Sequence, residues 1–342
     1  MNFKAVKPQL SICIPTYNRS KFLNECLQSL LPQVKNHSVE VIVIDNASPD
    51  QTSSVVHKFQ DTYPFLLYFR NSENLGYTGN QIKCFEYAQG DYIATLMDDD
   101  IYMEGELERI MKVIKEREYA FIALNYYGFI KNQFKPYLQN FAPEKDKIFK
   151  RAYDLWNYPS VGHFSGYVFN AKISKAILQE ILPEKPISYY EKRRGIIGYV
   201  AALSMLSSDL PAYFIGYRGL ANYMPMSTDY DSLQHLCIDY YEFYHDLYSK
   251  GLITQSDLEW RATNVLHWLP KALLRNGGFL NSESLSTVEK KLTEWFRGRP
   301  RYDNLCLPII LILRYPSARF LARVIVSVYR FLKKFYRKLR FS

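Results

Sequence analysis

The sequence predicts an α/β fold, a mostly parallel sheet flanked by helices, with a helical C-terminal region. Three observations carry this. Short apolar runs alternate with helix-length amphipathic stretches up to Asn125, polar loops follow those runs, and from Ser232 onward only helical periodicity remains.

The elements follow in order. Leu10–Ile14 is an apolar strand stopped by Pro15, and Ser20 is a good N-cap for a helix running to Leu31, with Pro32 marking its end. Val39–Ile44 is almost continuously apolar, the pattern of a strand buried on both faces. Ser48-Pro49-Asp50 turns the chain into a second helix, with Thr52 and Ser53 as cap candidates, and Phe65–Phe69 is a third strand. Gly76–Ala88 is helical, and Gly90-Asp91 turns into a strand ending at Met97. A helix over Met103–Arg117 and a strand over Tyr119–Leu124 continue the alternation. The stretch Tyr126–Val161 is rich in aromatics and charge and has no clear period. Phe164–Phe169 then reads as a strand, Ala171–Ile181 and Ile196–Leu206 as helices, and Tyr213–Gly216 as a short strand. Breaks near Gly251, Gly277-Gly278 and Arg297–Pro300 divide the helical remainder.

A chain of 342 residues holds one large or two medium domains. Its five cysteines are scattered, odd in number and in no metal-binding spacing, which fits a reducing compartment. The first twelve residues lack the long apolar stretch of a secretory signal, and the expected location is cytoplasmic. From Asn304 to Ser342 there is no acidic residue but there are nine basic ones, equal to the whole formal net charge of +9; residues 1–303 balance. Leu321, Val324, Ile325, Val328, Leu332, Phe335 and Leu339 recur at helical steps, with Arg319, Arg323, Arg330, Lys334 and Arg337 largely opposite. Such a helix lies on an anionic membrane surface, apolar side down, and no nucleic-acid partner is expected. Leu305–Leu313 is apolar too, but Pro308 interrupts it and it falls short of the roughly 20 residues that span a bilayer.

Asp98-Asp99-Asp100 stands just past a hydrophobic strand. Three adjacent like charges repel, so a fold places them where a divalent cation or solvent neutralises them. Open α/β sheets bind ligands at the carboxyl ends of strands. Two more polar loops end strands, Pro15-Thr16-Tyr17-Asn18-Arg19 and Asp45-Asn46-Ala47-Ser48-Pro49-Asp50, and Asn74-Leu75-Gly76-Tyr77-Thr78-Gly79-Asn80 opens a helix. On a parallel sheet these converge on one crevice. Thr16, Asn18, Asp45, Asn46 and Asn80 offer hydrogen bonds to a base and ribose, Arg19 and Lys83 offer charge to phosphate, and the aspartates offer a seat for metal. That inventory suits a nucleoside diphosphate. Each piece also has a plain alternative, a capped turn or a solvated charge.

Together, Ser11–Arg19, Val41–Asp50, Asn74-Leu75-Gly76 with Asn80, and Gly90-Asp91-Tyr92-Ile93 leading to Asp98-Asp99-Asp100 resemble a family-2 glycosyltransferase of the GT-A fold, of the bacterial type that builds O-antigen, capsule or other surface polysaccharide. The likeness covers roughly the first hundred residues and is looser from about 125 to 225, where Phe164–Phe169 and Tyr217-Arg218 resemble late elements of that fold. The run of elements ends the sheet domain near Met226, so the expected organisation is a GT-A domain over 1–226, a helical extension over 227–303 and, from its charge and apolar period, a basic membrane-associating tail over 304–342.

The resemblance further implies a nucleotide-sugar donor, Mg2+ or Mn2+ on the Asp-x-Asp element, and inversion at the anomeric carbon, and the cationic amphipathic tail points to a saccharide acceptor on a lipid carrier. The donor site would comprise Thr16, Tyr17, Asn18, Arg19, Asp45, Asn46, Gly76, Asn80, Lys83 and Asp98, with Asp45 at the base and Asp98 at the ribose. Asp98, Asp99 and Asp100 are the candidate metal ligands. Many relatives carry an aspartate where Met97 stands, which leaves open which carboxylate holds the ion. The expected general base is Glu191, with Glu184 and Asp209 as rivals, and Tyr126, Tyr127, Trp156, Tyr189 and Tyr190 are candidate acceptor platforms. Two other classes stay open on the residues alone: a nucleotidyltransferase on a similar sheet, and a catalytically silent scaffold with a nucleic-acid-binding tail.

Overall fold

The structure is a computed structural model that describes residues 7–139, 142–158, 163–191, 195–224 and 233–341, without the side chains of 138, 139, 235, 236 and 329–341. The described residues fall into two compact units, one within 7–224 and the other within 233–341. The expected boundary at Met226 lies outside the described residues.

The first unit is a sheet clothed in helices. Its strands are β1 (Leu10–Thr16), β2 (Val39–Asp45), β3 (Leu66–Arg70), β4 (Tyr92–Thr95), β5 (Ile101–Tyr102), β6 (Phe121–Phe129), β7 (Leu138–Gln139), β8 (Lys147–Phe149), β9 (Tyr167–Asn170) and β10 (Ala212–Tyr223). Its helices are α1 (Ser20–Val34), α2 (Thr52–Gln60), α3 (Gly76–Tyr87), α4 (Glu106–Glu116), α5 (Ala152–Trp156), α6 (Ala171–Ile181), α7 (Ile187–Glu191) and α8 (Gly195–Leu206).

The strand order is β3-β2-β1-β4-β9-β6-β10-β5, with β7 on β6 and β8 on β10. The strands β3, β2, β1 and β4 are parallel, as the alternation predicts. Here β1 and β2 run in step, Leu10 opposite Val39 and Thr16 opposite Asp45, so their carboxyl ends finish level. The apolar runs explain this: β1 is buried throughout, and Val41, Ile42, Val43 and Ile44 of β2 are fully buried under helices on both faces. Because β9 inserts antiparallel between β4 and β6, the sheet is mixed beyond β4.

Local expectations change: β1 runs through Pro15, expected to stop it, to Thr16, β6 spans Phe121–Phe129 instead of ending at Leu124, and four further changes have plain causes. First, α1 continues through Pro32 to Val34. A proline in the last turn removes only one helical hydrogen bond, and buried Leu31 and Val34 keep that turn on the core. Second, Ser20 does not cap α1 with its own hydroxyl; its N–H donates to Asp50 Oδ2 at 2.9 Å, a cap supplied from thirty residues away. Third, Phe164–Gly166 is a 3-10 turn and the strand begins at Tyr167. Fourth, β10 extends beyond Gly216 to Tyr223, through a register shift between Ile215 and Leu220. The bulge carries the polar Tyr217-Arg218-Gly219 and returns Leu220 and Ala221 to the core.

The second unit is helical, with α9 (Asp239–Ser249), α10 (Gln255–Asn276), α11 (Ser282–Phe296), α12 (Leu307–Leu313) and α13 (Pro316–Phe341). Thr254 and Asp257 form a reciprocal capping box on α10, and Asn281 caps α11. The expected breaks stand where Gly251 and Gly298 take positive φ and where Gly277–Phe279 makes a tight turn.

Candidate active site

Where β1, β2 and β4 end, the chain leaves a cavity of about 520 Å3. Among its lining residues are Thr16, Tyr17, Arg19, Asn46, Gly76, Asn80, Asp98, Asp99 and Asp100, nine of the expected site residues. The parallel register is what brings these loops together, since strands running the same way deliver their following loops to one edge.

Arg19 joins two of the aspartates. Its Nη1 lies 3.1 Å from Asp98 Oδ1, and its Nη2 donates to Asp99 Oδ2 at 2.6 Å. Asp98 Oδ2 also accepts from the Thr16 hydroxyl at 2.7 Å. Burial pushes the Asp98 carboxyl up to about 7, and the charges of Asp99 and Asp100 add to this against the pull of Arg19 and Thr16. Burial, followed by the Asp100 charge, raises Asp99 as well.

Asp100 goes the other way. Burial works against its ionisation, but the adjacent His163 ring and hydrogen bonds from Ser165 and Asn222 hold it below the usual carboxylate range. His163 Nε2 is 2.7 Å from Oδ2, which also accepts from the Ser165 hydroxyl. Oδ1 accepts from Asn222 Nδ2 at 3.0 Å and from the Tyr223 N–H at 2.9 Å. Expected among the metal ligands, Asp100 instead has both oxygens occupied by the protein, where it ties the end of β10 and the turn before β9 beneath the cavity.

Asp45, expected at the donor base, is fully buried and its carboxylate is likewise in use. It accepts from the Ser48 N–H at 2.8 Å, from the Tyr68 hydroxyl at 2.6 Å and from Arg70, whose Nη2 also reaches Ser48 O at 2.9 Å. It shapes the loop behind the cavity instead of lining it.

Asn46 heads an amide network: its Nδ2 donates to Asn74 Oδ1 at 2.7 Å and to Gly76 O at 3.1 Å, and its Oδ1 accepts from the Leu75 N–H at 2.8 Å. Asn71 Nδ2 bridges Asn46 Oδ1 and Asn80 Oδ1 at 3.0 and 2.9 Å, and Asn80 Nδ2 donates to Ile44 O at 3.1 Å. This network holds the loop into α3 against the end of β2 and sets Gly76 and Tyr77 on the cavity wall. Asn18, whose N–H donates to Ser48 Oγ at 2.9 Å, and Ala47 both take positive φ, of 55° and 60°. For alanine that conformation costs about 1–2 kcal/mol, the kind of strain that gathers at ligand sites.

Lys83 is not brought to this cavity: its ammonium sits 2.6 Å from Glu86, one turn further along α3. Glu191 comes close. A Cβ placed on Gly76 would stand 3.9 Å from Glu191 Oε1, so α7 delivers this carboxylate to the cavity's edge. The basic residues 192–194 that follow it lie outside the described residues. Glu184 and Asp209 are exposed and do not line the cavity. Of the aromatic candidates, Tyr127, Trp156 and Tyr190 are core residues, whereas the Tyr126 ring lies 5.0 Å from His163.

His163, Phe164 and Asn222 also line the cavity and were not predicted. His163 and Asn222 come from segments 60 or more positions from Asp100, which they meet, and no local pattern marks them.

Among the described residues, no group of three or more His, Cys, Asp or Glu forms a cation cage. Asp98 and Asp99, whose described side-chain partners are Thr16 and Arg19, form a two-carboxylate set. A hard divalent cation seats on such a set when phosphate oxygens complete its shell, so the residues present fit the ion.

Comparison with known proteins gives the same direction. The family model for glycosyl transferase family 2 matches residues 11–182. The abequosyltransferase RfbV of Salmonella typhimurium is 39% identical over 100 residues, 29% of this chain and 30% of that protein. A GalNAc(5)-diNAcBac-PP-undecaprenol beta-1,3-glucosyltransferase of Campylobacter jejuni is 34% identical over 110 residues, 32% of this chain and 35% of that protein. The chain thus spans about a third of the length of these curated relatives. Among solved structures, residues 1–349 of S. aureus TarS in complex with UDP superpose with a TM-score of 0.61 at 16% identity, over 96% of this chain and 91% of that one. At that identity the likeness is one of fold.

Proposed function

The chain belongs to glycosyl transferase family 2, and we propose that it moves a sugar from a nucleotide-diphosphate donor to a hydroxyl of a lipid-linked saccharide during bacterial surface-glycan synthesis. The observation that carries this reading is Arg19 paired with Asp98 and Asp99 in a cavity at the carboxyl ends of β1, β2 and β4. Relatives named for abequosyl transfer and for a diphospho-undecaprenol-linked acceptor support the surface-glycan and lipid-carrier parts.

In this reading the donor diphosphate lies over Arg19, Asp98 and Asp99. Thr16 fixes Asp98, and Asp100 anchors the floor through His163, Ser165 and Asn222. Exposed Tyr17 and Tyr77 offer flat faces to the base or sugar. Mg2+ or Mn2+ held by Asp98 and Asp99 would neutralise charge growing on the diphosphate as it leaves. The acceptor oxygen bonds to the anomeric carbon while the bond from that carbon to the diphosphate oxygen breaks. Its proton passes to Glu191, and the nucleoside diphosphate departs with the bonding electrons. Attack from the side opposite the leaving group inverts the anomeric centre. The acid-free segment 304–342 would keep the enzyme peripheral on the inner face of the cell membrane. Among the described residues no single helix is long and apolar enough to cross a membrane, although Tyr302–Leu313 and Pro316–Val328, bent by 103°, pass together on length and composition.

The test is donor turnover with release of nucleoside diphosphate, run beside Glu191→Gln. The variant should bind donor as the wild type does and turn over about 10²–10⁴-fold more slowly. Wild-type turnover by Glu191→Gln would remove the base assignment, and no turnover of any nucleotide-sugar by the folded wild type would remove the transferase reading.

A further inference from the structure

The structure fastens the first turns of α13 by one face only. A Cβ on Gly278 would stand 2.9 Å from Ala322 Cβ and 3.1 Å from Arg319 O, so the glycine turn after α10 admits α13 to backbone contact. Arg319, expected on a cationic outer face, is instead buried, its Nη1 donating to Leu313 O at 2.9 Å and Arg314 O at 3.1 Å and its Nη2 to Ser282 Oγ at 3.0 Å. It closes the carboxyl end of α12. Arg314 is engaged too, paired through two nitrogens with Glu289.

The opposite face has nothing described upon it. Phe320, Leu321, Val324, Ile325 and Val328 are 43–63% exposed, and Trp268, Leu274 and Ile312 on neighbouring helices are each more than half exposed. Side chains of α13 beyond Val328, including Leu332, Phe335 and Leu339, lie outside the described residues. Between α10, α12 and α13 opens a cavity of about 600 Å3, walled by aliphatic side chains such as Leu274, Ile312, Leu321 and Ile325. Among the described residues, Lys271 and Arg275 are the two charged ones that line it, and none that lines it is acidic. Neither forms an ion pair among the described residues; the Lys271 ammonium lies 5.6 Å from the Trp268 ring.

We infer that this face of the second unit docks on a leaflet of anionic phospholipid, one acyl chain entering the groove and its phosphate meeting Lys271 and Arg275. Hydrocarbon walls of this size select an apolar chain, and two unpaired cations beside an acid-free segment select an anionic head. An indole beside them suits the boundary between headgroup and chain. The inference rests on the membrane-surface part of the function proposed above and not on its transferase chemistry.

The test is flotation of the full chain with vesicles of phosphatidylcholine alone or mixed with phosphatidylglycerol. Wild type should float with the mixed vesicles, and brominated lipids should quench an emission that Trp268→Phe removes. Lys271→Glu with Arg275→Glu should weaken binding to mixed vesicles by roughly fivefold or more per cation reversed. Leu321→Glu with Ile325→Glu, at exposed positions, should abolish binding with melting unchanged. Equal flotation of all three proteins, or no quenching of Trp268, overturns the inference. So does a dimer in light scattering that disperses only in the Leu321/Ile325 variant without any lipid binding, which would assign the face to a second copy. Donor turnover in detergent-free buffer separates the two readings: a chain that floats but releases no nucleoside diphosphate keeps this inference and loses the transferase.

Discussion

Three consecutive aspartates of identical chemistry meet three different environments, and the difference is set by their partners. Asp98 and Asp99 face Arg19 and the cavity, whereas Asp100 is enclosed by His163, Ser165, Asn222 and the Tyr223 N–H. Asp100→Asn should therefore lower stability by about 3 kcal/mol, because it leaves buried donors without their anion. Asp99→Asn should melt at or above wild type, since it removes a carboxylate that burial and its neighbour disfavour. Paired melting curves check both. One further buried carboxylate, Glu106, lies away from the site. Glu106 is fully buried, neither of its oxygens has a hydrogen-bond partner among the described residues, and burial, against the pull of Arg109 and with the Asp146 charge adding, raises it from 4.5 to about 8. Between those values the folded chain holds a proton that the unfolded chain has lost, so this group's contribution to stability falls as pH rises from about 4.5 to about 8 and levels above. Glu106→Gln should gain on wild type in denaturation across that window and keep a constant margin above it; parallel stability curves would contradict the assignment.

At the scale of elements, close approach decides where glycine stands. A Cβ on Gly90 would lie 2.6 Å from Ser11 N and 2.8 Å from Leu10 C, where the turn into β4 crosses the start of β1. Gly90→Ala should cost about 1–3 kcal/mol by denaturant titration, as overpacking against backbone does. The same scale shows what sequence reading reaches. Helix α6 matches its expected bounds because a continuous amphipathic run is capped by its own Asn170, whose side chain accepts from the Lys172 and Ile173 N–H groups. The positions of β1 and β2 were legible from their apolar runs, although β1 continues through Pro15 to Thr16 and β2 takes in Asp45, and with them the loops that carry Thr16, Arg19 and Asn46. The cap on α1 was not legible, because it comes from Asp50. Nor was the far half of β10, whose bulge interrupts the apolar run, nor His163 and Asn222, which only the folded sheet brings to Asp100. Asp45 and Lys83 show the converse: residue type suggested a ligand contact, and partners at Arg70 and Glu86 engage them elsewhere.

For the whole molecule, family membership rests on a matched segment that is half the chain, and the site rests on one edge of one sheet. The helical unit carries a distinct surface, apolar and cationic, whose own test does not depend on the sheet. The central claim is that Asp98 and Asp99 with Arg19 form a cation-assisted seat for a nucleotide-sugar diphosphate. It is tested most directly by calorimetric titration with UDP-, GDP-, CMP- and dTDP-sugars, with Mn2+ and after chelation, of wild type and Asp99→Ala. The account predicts binding of one nucleotide class by wild type, weakened at least tenfold on chelation and equally weakened in Asp99→Ala. Equal binding by both proteins whether or not the cation is present would contradict it.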